Sequence, residues 1–250
     1  GPWRQHHPQP PVLLKRLRAG WQTSDEAVAG FIQDSLRASL MVHPNIVRVL
    51  HAGSDHEGLF VVTEYIHGVK LSALLRRMEQ LEQRFSRAHV LHLAAQCCRG
   101  LARAQQDRFS HLVHGALGPD HAMITFDGRV RLKDFGVWRL LGAAGEMRRG
   151  GLETYFLAPE QLAGHPPGPG ADLYGLGRLL RYLVQRQQQG EASIDPRLEA
   201  VLQRCQQPDP AARYPDAAAF LRDLQTLSTT ALDGADPGGL GKLVRTLFTS

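Results

Sequence analysis

Between Val113 and Gly136 the chain reads VHGALGPDHAMITFDGRVRLKDFG, and this stretch narrows the choice of fold more than any other. Two short apolar runs, Met123-Ile124-Thr125 and Val130-Arg131-Leu132, flank Asp127-Gly128. A glycine at that place accepts the positive φ of a tight turn, so the pattern predicts a β-hairpin. The hairpin joins a loop opened by His114 to a short segment closing on Asp134-Phe135-Gly136. At 250 residues and 43% hydrophobic, the chain can bury one large core or two small ones.

In order and spacing these residues resemble the catalytic loop and metal-binding segment of the eukaryotic-type protein kinase family, HRDLKPEN followed by DFG. His114, Leu117, Pro119, Asp134, Phe135 and Gly136 match. Gly115 stands where the arginine belongs, Ala116 for the catalytic aspartate, Gly118 for the lysine and His121 for the metal-binding asparagine. The frame matches and the catalytic positions depart from it.

Further motifs extend the resemblance over residues 12–228. Val12-Leu13-Leu14-Lys15 reads as a short buried strand similar to VAIK, which makes Lys15 the phosphate-pairing lysine. Leu13 replaces a small alanine in the adenine roof, and Leu13 and Met123 are expected to fill the adenine site. Ser24 caps a helix with an acidic first turn, whose Val28, Phe31, Ile32, Leu36 and Leu40 keep helical spacing. In that helix Asp34 occupies the place of the family's glutamate. His43-Pro44-Asn45-Ile46-Val47 matches HPNIV and holds the one asparagine of the chain. Thr63 falls at the gatekeeper position and Glu64 to Ile66 at the hinge. Leu71 to Gln83 reads as a short helix. Ser86 caps a longer one to Gln106, with Val90, Leu93, Ala94, Cys97 and Leu101 on one face.

Ala158-Pro159-Glu160 matches APE, and Glu153 replaces the threonine that normally bonds the catalytic aspartate and loop lysine. Asp172 matches the aspartate that braces the catalytic loop, and Arg213 the arginine that pairs with Glu160. The resemblance also implies a column joining the lobes, with His114 and Phe135 stacked on Val49 and Ala38. Asp195 to Gln206 and Asp216 to Ser228 read as the last two helices, and the usual docking helix between Gln189 and Asp195 is expected to be missing. Residues 240–248 read as a packed or frayed tail.

The fold class implied is α+β, a bilobal kinase-like fold with a small, truncated β-rich N-lobe and a helical C-lobe. The division expected is a disordered lead-in over residues 1–11 after a Gly1-Pro2 cleavage remnant, the N-lobe over 12–66, the C-lobe over 67–228 and a linker and tail over 229–250. No G-x-G-x-x-G occurs in residues 1–11. The implied role is that of a pseudokinase, not an enzyme, acting as a scaffold or allosteric regulator in signalling. Its expected partner is another protein, a kinase or signalling protein. Two alternatives stay open: a nucleotide-binding switch through Lys15 and Asp134, or a phosphotransferase in which Asp120 or His121 serves as base or metal ligand. Neither a metal nor a cofactor is expected, and ATP binding is expected to be weak or absent.

Composition narrows the partners. Net charge is +5, but the basic residues are scattered among 24 acids and not interleaved with aromatics, which argues against nucleic acid. Three cysteines without metal spacing or a paired framework fit a reducing cytoplasm. No run of 18 apolar residues predicts a membrane span. Of 29 basic residues only Lys15, Lys70, Lys133 and Lys242 are lysines, a composition of bacterial style.

Overall fold

The computed structural model describes residues 10–17, 24–106, 112–143, 154–186, 194–227 and 237–249. Its N-terminal part is a strand β1 (Val12–Arg16), a helix α1 (Asp25–Ser39) and strands β2 (Val49–Asp55) and β3 (Gly58–Glu64). The antiparallel sheet has the order β1-β3-β2, with Leu13 opposite Thr63 and Lys15 opposite Val61. The Ser24 side chain accepts the Ala27 N–H, as an N-cap should. The helix buries Phe31, Asp34, Ser35 and Ala38, one stripe at helical spacing facing the sheet.

Two expectations need correction here. The strand at Val12–Arg16 forms but is not buried: Val12, Leu13 and Leu14 are 53%, 41% and 51% exposed, because β1 lies at the edge of its sheet. Leu36 and Leu40 keep helical spacing yet are 47% and 73% exposed. The buried stripe of α1 runs through Asp34 and Ala38 instead, since a carboxylate inside this fold has cations to meet.

Below the sheet, β4 (Gly68–Lys70) leads directly into α2 (Leu71–Gln80), and α3 (Arg87–Gln106) follows. Ser86 Oγ accepts the His89 N–H, which starts α3 where the sequence placed it. Val90, Leu93, Ala94, Cys97 and Leu101 are all buried on it. Burial pushes the Cys97 thiol up to about 12, so it packs as a small apolar group. The expected hairpin is β5 (Ala122–Thr125) with β6 (Val130–Leu132), and β4 extends it to an antiparallel sheet of order β4-β5-β6. Asn45 ties the two parts together: its amide donates to Gln96 Oε1 at 2.8 Å and to Val130 O at 2.9 Å.

The remaining described elements are helical. A short helix α4 (Val137–Ala143) follows the hairpin, then α5 (Pro159–Leu162), α6 (Pro169–Gln185), α7 (Pro196–Cys205) and α8 (Ala217–Thr226). Helices α3, α6, α7 and α8 pack on one another around Leu101, Leu176, Leu202 and Phe220. The last helix, α9 (Pro237–Phe248), buries Leu240, Val244 and Leu247 against α2, α3 and β5. It rests on the hairpin turn so closely that a Cβ on Gly241 would lie 2.8 Å from backbone atoms of Phe126 and Asp127. Most of the stretch expected to lack a docking helix lies outside the described residues. Among those described, no helix is long and apolar enough to cross a membrane. The architecture is α+β: a small β-sheet region followed by a helical part.

Candidate functional site

The hairpin delivers its two polar ends to the boundary between the sheet and the helices. Asp134 leaves β6 with a φ of 67°, a left-handed conformation that costs free energy in any residue with a Cβ. Its carboxylate is met by three groups. Lys15 Nζ pairs with Oδ1, Lys133 Nζ pairs with Oδ2, and His121 Nδ1 lies 3.4 Å from Oδ2. Burial alone would push the Asp134 carboxyl up; the His121 hydrogen bond and the Lys133 and Lys15 charges overcome it and hold it well below the usual carboxylate range. Burial pulls the Lys133 ammonium down, while Asp134 opposes that loss.

These groups line a cleft of about 630 Å³, bordered by the Thr63 to Ile66 segment and by Lys70 and Asp120. Leu13 and Met123 stand in its walls and leave this space between them, where a filled adenine site was expected. Thr63, at the gatekeeper position, is buried. Behind Thr63 and Lys15 a second, mainly apolar cavity of about 190 Å³ reaches Phe31, Phe135 and Leu140. Asp120 accepts the Ser72 hydroxyl at 2.8 Å and has Lys70 Nζ at 3.7 Å.

A frame of buried polar contacts supports the cleft. Asp172 accepts the backbone N–H of His114 at 2.9 Å and of Gly115 at 2.7 Å. Burial drives the His114 imidazole down to about 3, so the ring is neutral and its Nε2–H donates to Lys133 O at 2.9 Å. The Phe135 ring lies 4.7 Å from it, with Val49 and Ala38 buried in the same core. Glu160 receives both terminal nitrogens of Arg213 at 2.7 Å. The bidentate geometry and full burial of the guanidinium mark this pair as structural.

The departed positions are accounted for by their neighbours. Gly115 has a φ of 71°, and a Cβ there would lie 2.4 Å from the Trp138 ring. A Cβ on Gly118 would lie 3.2 Å from Phe156. Aromatic side chains from the segment after the hairpin thus cover the two glycines. Ala116 is buried and carries no group that could take a proton. Asp34 does not reach Lys15: Arg139 Nε of α4 holds it at 2.7 Å and Arg37 at 3.3 Å. Glu153 lies outside the described residues.

Sequence reasoning missed Lys133, Lys70, Trp138 and Arg139. One signal was available for the lysines, their scarcity: the chain holds only four, and three of them line this cleft. The site does not fit a divalent cation. Both Asp134 oxygens carry lysine ammonium groups, His121 offers nitrogen where a hard cation prefers oxygen, and Asp120 is turned to Ser72 and Lys70. Among the described residues no group of three His, Cys, Asp or Glu side chains could hold a metal ion.

The protein kinase domain family matches this chain over residues 10–224. The tyrosine-protein kinase MasK of Myxococcus xanthus is 25% identical over 95% of this chain and 41% of its own length. The serine/threonine-protein kinase PknA of Mycobacterium tuberculosis is 30% identical over 66% of this chain and 38% of its own. The chain therefore spans about two fifths of the length of these relatives. The crystal structure of the Mycobacterium tuberculosis PknI kinase domain superposes with a TM-score of 0.69 at 22% identity, over 87% of this chain and 86% of that one. These relatives overturn the expectation of a non-enzyme. They are named as serine/threonine and tyrosine kinases, and substitutions at the loop positions do not by themselves establish a loss of activity. The chain is similar to serine/threonine kinases of Mycobacterium and Bacillus and to a tyrosine kinase of Myxococcus, and by the match through most of its length it belongs to the protein kinase domain family.

Proposed function

We propose that this domain binds a nucleoside triphosphate in its interlobe cleft and uses it to control how α1 and α4 are presented to another protein in signalling. One observation carries the reading: three lysines converge on a cleft of about 630 Å³ that opens beside the Thr63 to Ile66 segment. Lys15 and Lys133 supply charge for phosphate oxygens, and the 64–66 segment supplies an edge for a flat base. The coupling path is short. Asp134 O accepts the Val137 N–H that opens α4, and Arg139 of α4 grips Asp34 of α1. Phosphates competing for the two lysines loosen their hold on Asp134, and α4 shifts against α1.

Titration calorimetry with ATP tests binding, with a thermal melt beside it. A ligand at about 100 times its Kd adds about 2.7 kcal/mol of stability, which a melt resolves. Lys15→Ala should weaken the titration by about tenfold. A flat titration and an unmoved melt at saturating ATP would remove this reading.

A second reading is phosphoryl transfer with Asp120 as proton acceptor. The observation that favours it is the Asp120 carboxylate, 45% exposed at the cleft beside Lys70. A substrate hydroxyl oxygen attacks the terminal phosphorus, the bond to the leaving nucleoside diphosphate breaks, and the hydroxyl proton passes to Asp120. Labelled ATP with protein acceptors measures it. Asp120→Asn should abolish transfer and leave nucleotide binding in place; transfer unchanged in that variant would end the role of Asp120.

A further inference from the structure

The cleft charges are arranged in depth. Lys15 approaches Asp134 from the sheet side and is one-third exposed, whereas the Lys133 side chain is 9% exposed. An ammonium group that deep is held by its backbone. The Lys133 N–H donates to His121 O at 3.0 Å, and its carbonyl accepts His114 Nε2–H at 2.9 Å. Through Asp172 on the His114 and Gly115 amides, the same loop is fixed to α6. Lys133 is therefore a preorganised cation, and it sits on the carboxylate oxygen that a divalent ion would need. Lys15 occupies the other oxygen.

The charge count at this point leaves an excess. Two ammonium groups face one carboxylate, and His121 adds a third nitrogen within 3.4 Å. The nearest further acid, Asp120, is turned to Ser72 and Lys70. The remaining one at the cleft, Glu64, is bound to Arg131 at 2.6 Å. An anion entering the cleft thus meets fixed positive charge already in place, in a partly water-excluded site where such charge is felt strongly.

We propose that the polyphosphate of a nucleoside di- or triphosphate binds here without a divalent cation, the Lys133 ammonium standing on Asp134 where a metal ion would otherwise bridge carboxylate and phosphate. This rests on the nucleotide-binding reading above and adds the source of the charge. Lys133 and Lys15 both contact phosphate oxygens, with the Asp134 carboxylate between the two ammonium groups.

The test is calorimetric titration of the whole chain with ADP and with ATP, in chelator and in excess magnesium. Affinities in the two conditions should agree within about twofold. Lys133→Met, which keeps the length and loses the charge, should weaken binding in chelator by at least about tenfold, and Lys133→Arg should keep most of it. Binding that tightens about tenfold or more with magnesium would overturn the proposal while leaving the nucleotide reading intact. So would a folded Lys133→Met protein that binds as tightly as the parent in chelator. No binding in either condition would remove the nucleotide reading and this proposal with it. Should Lys133→Met fail to fold, the chelator-against-magnesium comparison on the parent chain decides alone.

Discussion

Two regions of this molecule meet at His114 and treat charge in opposite ways. In the helical frame the buried ionic and polar groups named above are held by fixed partners: Asp172 by two amides, Arg213 by Glu160 and three backbone carbonyls, neutral His114 by a carbonyl. In the cleft a single carboxylate is shared by two lysines and a histidine, and between α1 and α4 Asp34 is shared by two arginines. A frame of closed pairs fixes a shape. A cleft of shared charges can exchange partners when an anion arrives, because removing one cation from Asp134 still leaves another.

The largest effect should come from opening a closed pair. Arg213→Ala leaves Glu160 without its two hydrogen bonds and should cost about 3–5 kcal/mol in denaturant unfolding. A cost near that of a surface substitution would erase the contrast between the regions.

Asp172→Asn probes the frame through pH. It retains one acceptor oxygen and turns an amide N–H toward a backbone N–H, a buried mismatch of about 1–3 kcal/mol. Burial raises the Asp172 carboxyl to about 7, against a usual 3.8, so between those values the folded chain binds the extra proton. The contribution of Asp172 is full below about 3.8 and lost as pH rises through about 7. The penalty of Asp172→Asn should therefore be largest in acid and shrink toward neutrality, and a penalty that grows with pH would contradict this. His114 has the opposite sign: held neutral down to about 3, it loses stability for the fold as pH falls below 6.5.

Gly115→Ala lies on the border of the two regions. A methyl group there must displace Trp138 and accept a φ of 71°, at about 1–3 kcal/mol. Enlarging Gly115 while replacing Trp138 by Ala should recover the steric part, and a simple sum of the two costs would show that the ring is not what excludes a side chain.

The smallest stability change belongs to the contact between α1 and α4. Arg139→Ala leaves Asp34 with Arg37 at 3.3 Å and should cost only about 1 kcal/mol in a melt. Its larger effect should fall on nucleotide affinity, because α4 is then released from α1. Equal affinity in parent and variant would detach α4 from the cleft.

Much of this was legible in the sequence, for local reasons. Asp127-Gly128 between two apolar runs specifies its hairpin, Ser24 and Ser86 their helix starts, and the α3 stripe its buried face. The frame residues were legible because each requires a particular partner at a particular spacing. The exposure of Leu13 and Leu14 was not, because an edge strand and a central strand share the same apolar pattern. Nor was the partner of Asp34. Which cation reaches it depends on where α4 lands, and that follows from Trp138 seating on Gly115, a contact between side chain and backbone that no periodicity encodes. Lys133 is one of only four lysines in the chain, but no motif residue at its position assigns it a role.

The seat of Trp138 also gives the molecule an optical reporter. Its indole Nε1 is enclosed and meets no hydrogen-bond partner among the described residues, and its ring lies under the Arg139 guanidinium, 4.5 Å from centroid to charge. Indole emission shifts to the red when that nitrogen reaches water, so any event that lifts α4 from the loop at Gly115 changes the colour of the light. The two other tryptophans, Trp3 and Trp21, lie near the start of the sequence and can be replaced by phenylalanine to leave a single tryptophan emitter. Ligands of the cleft can then be screened by fluorescence, with no substrate and no assay of turnover.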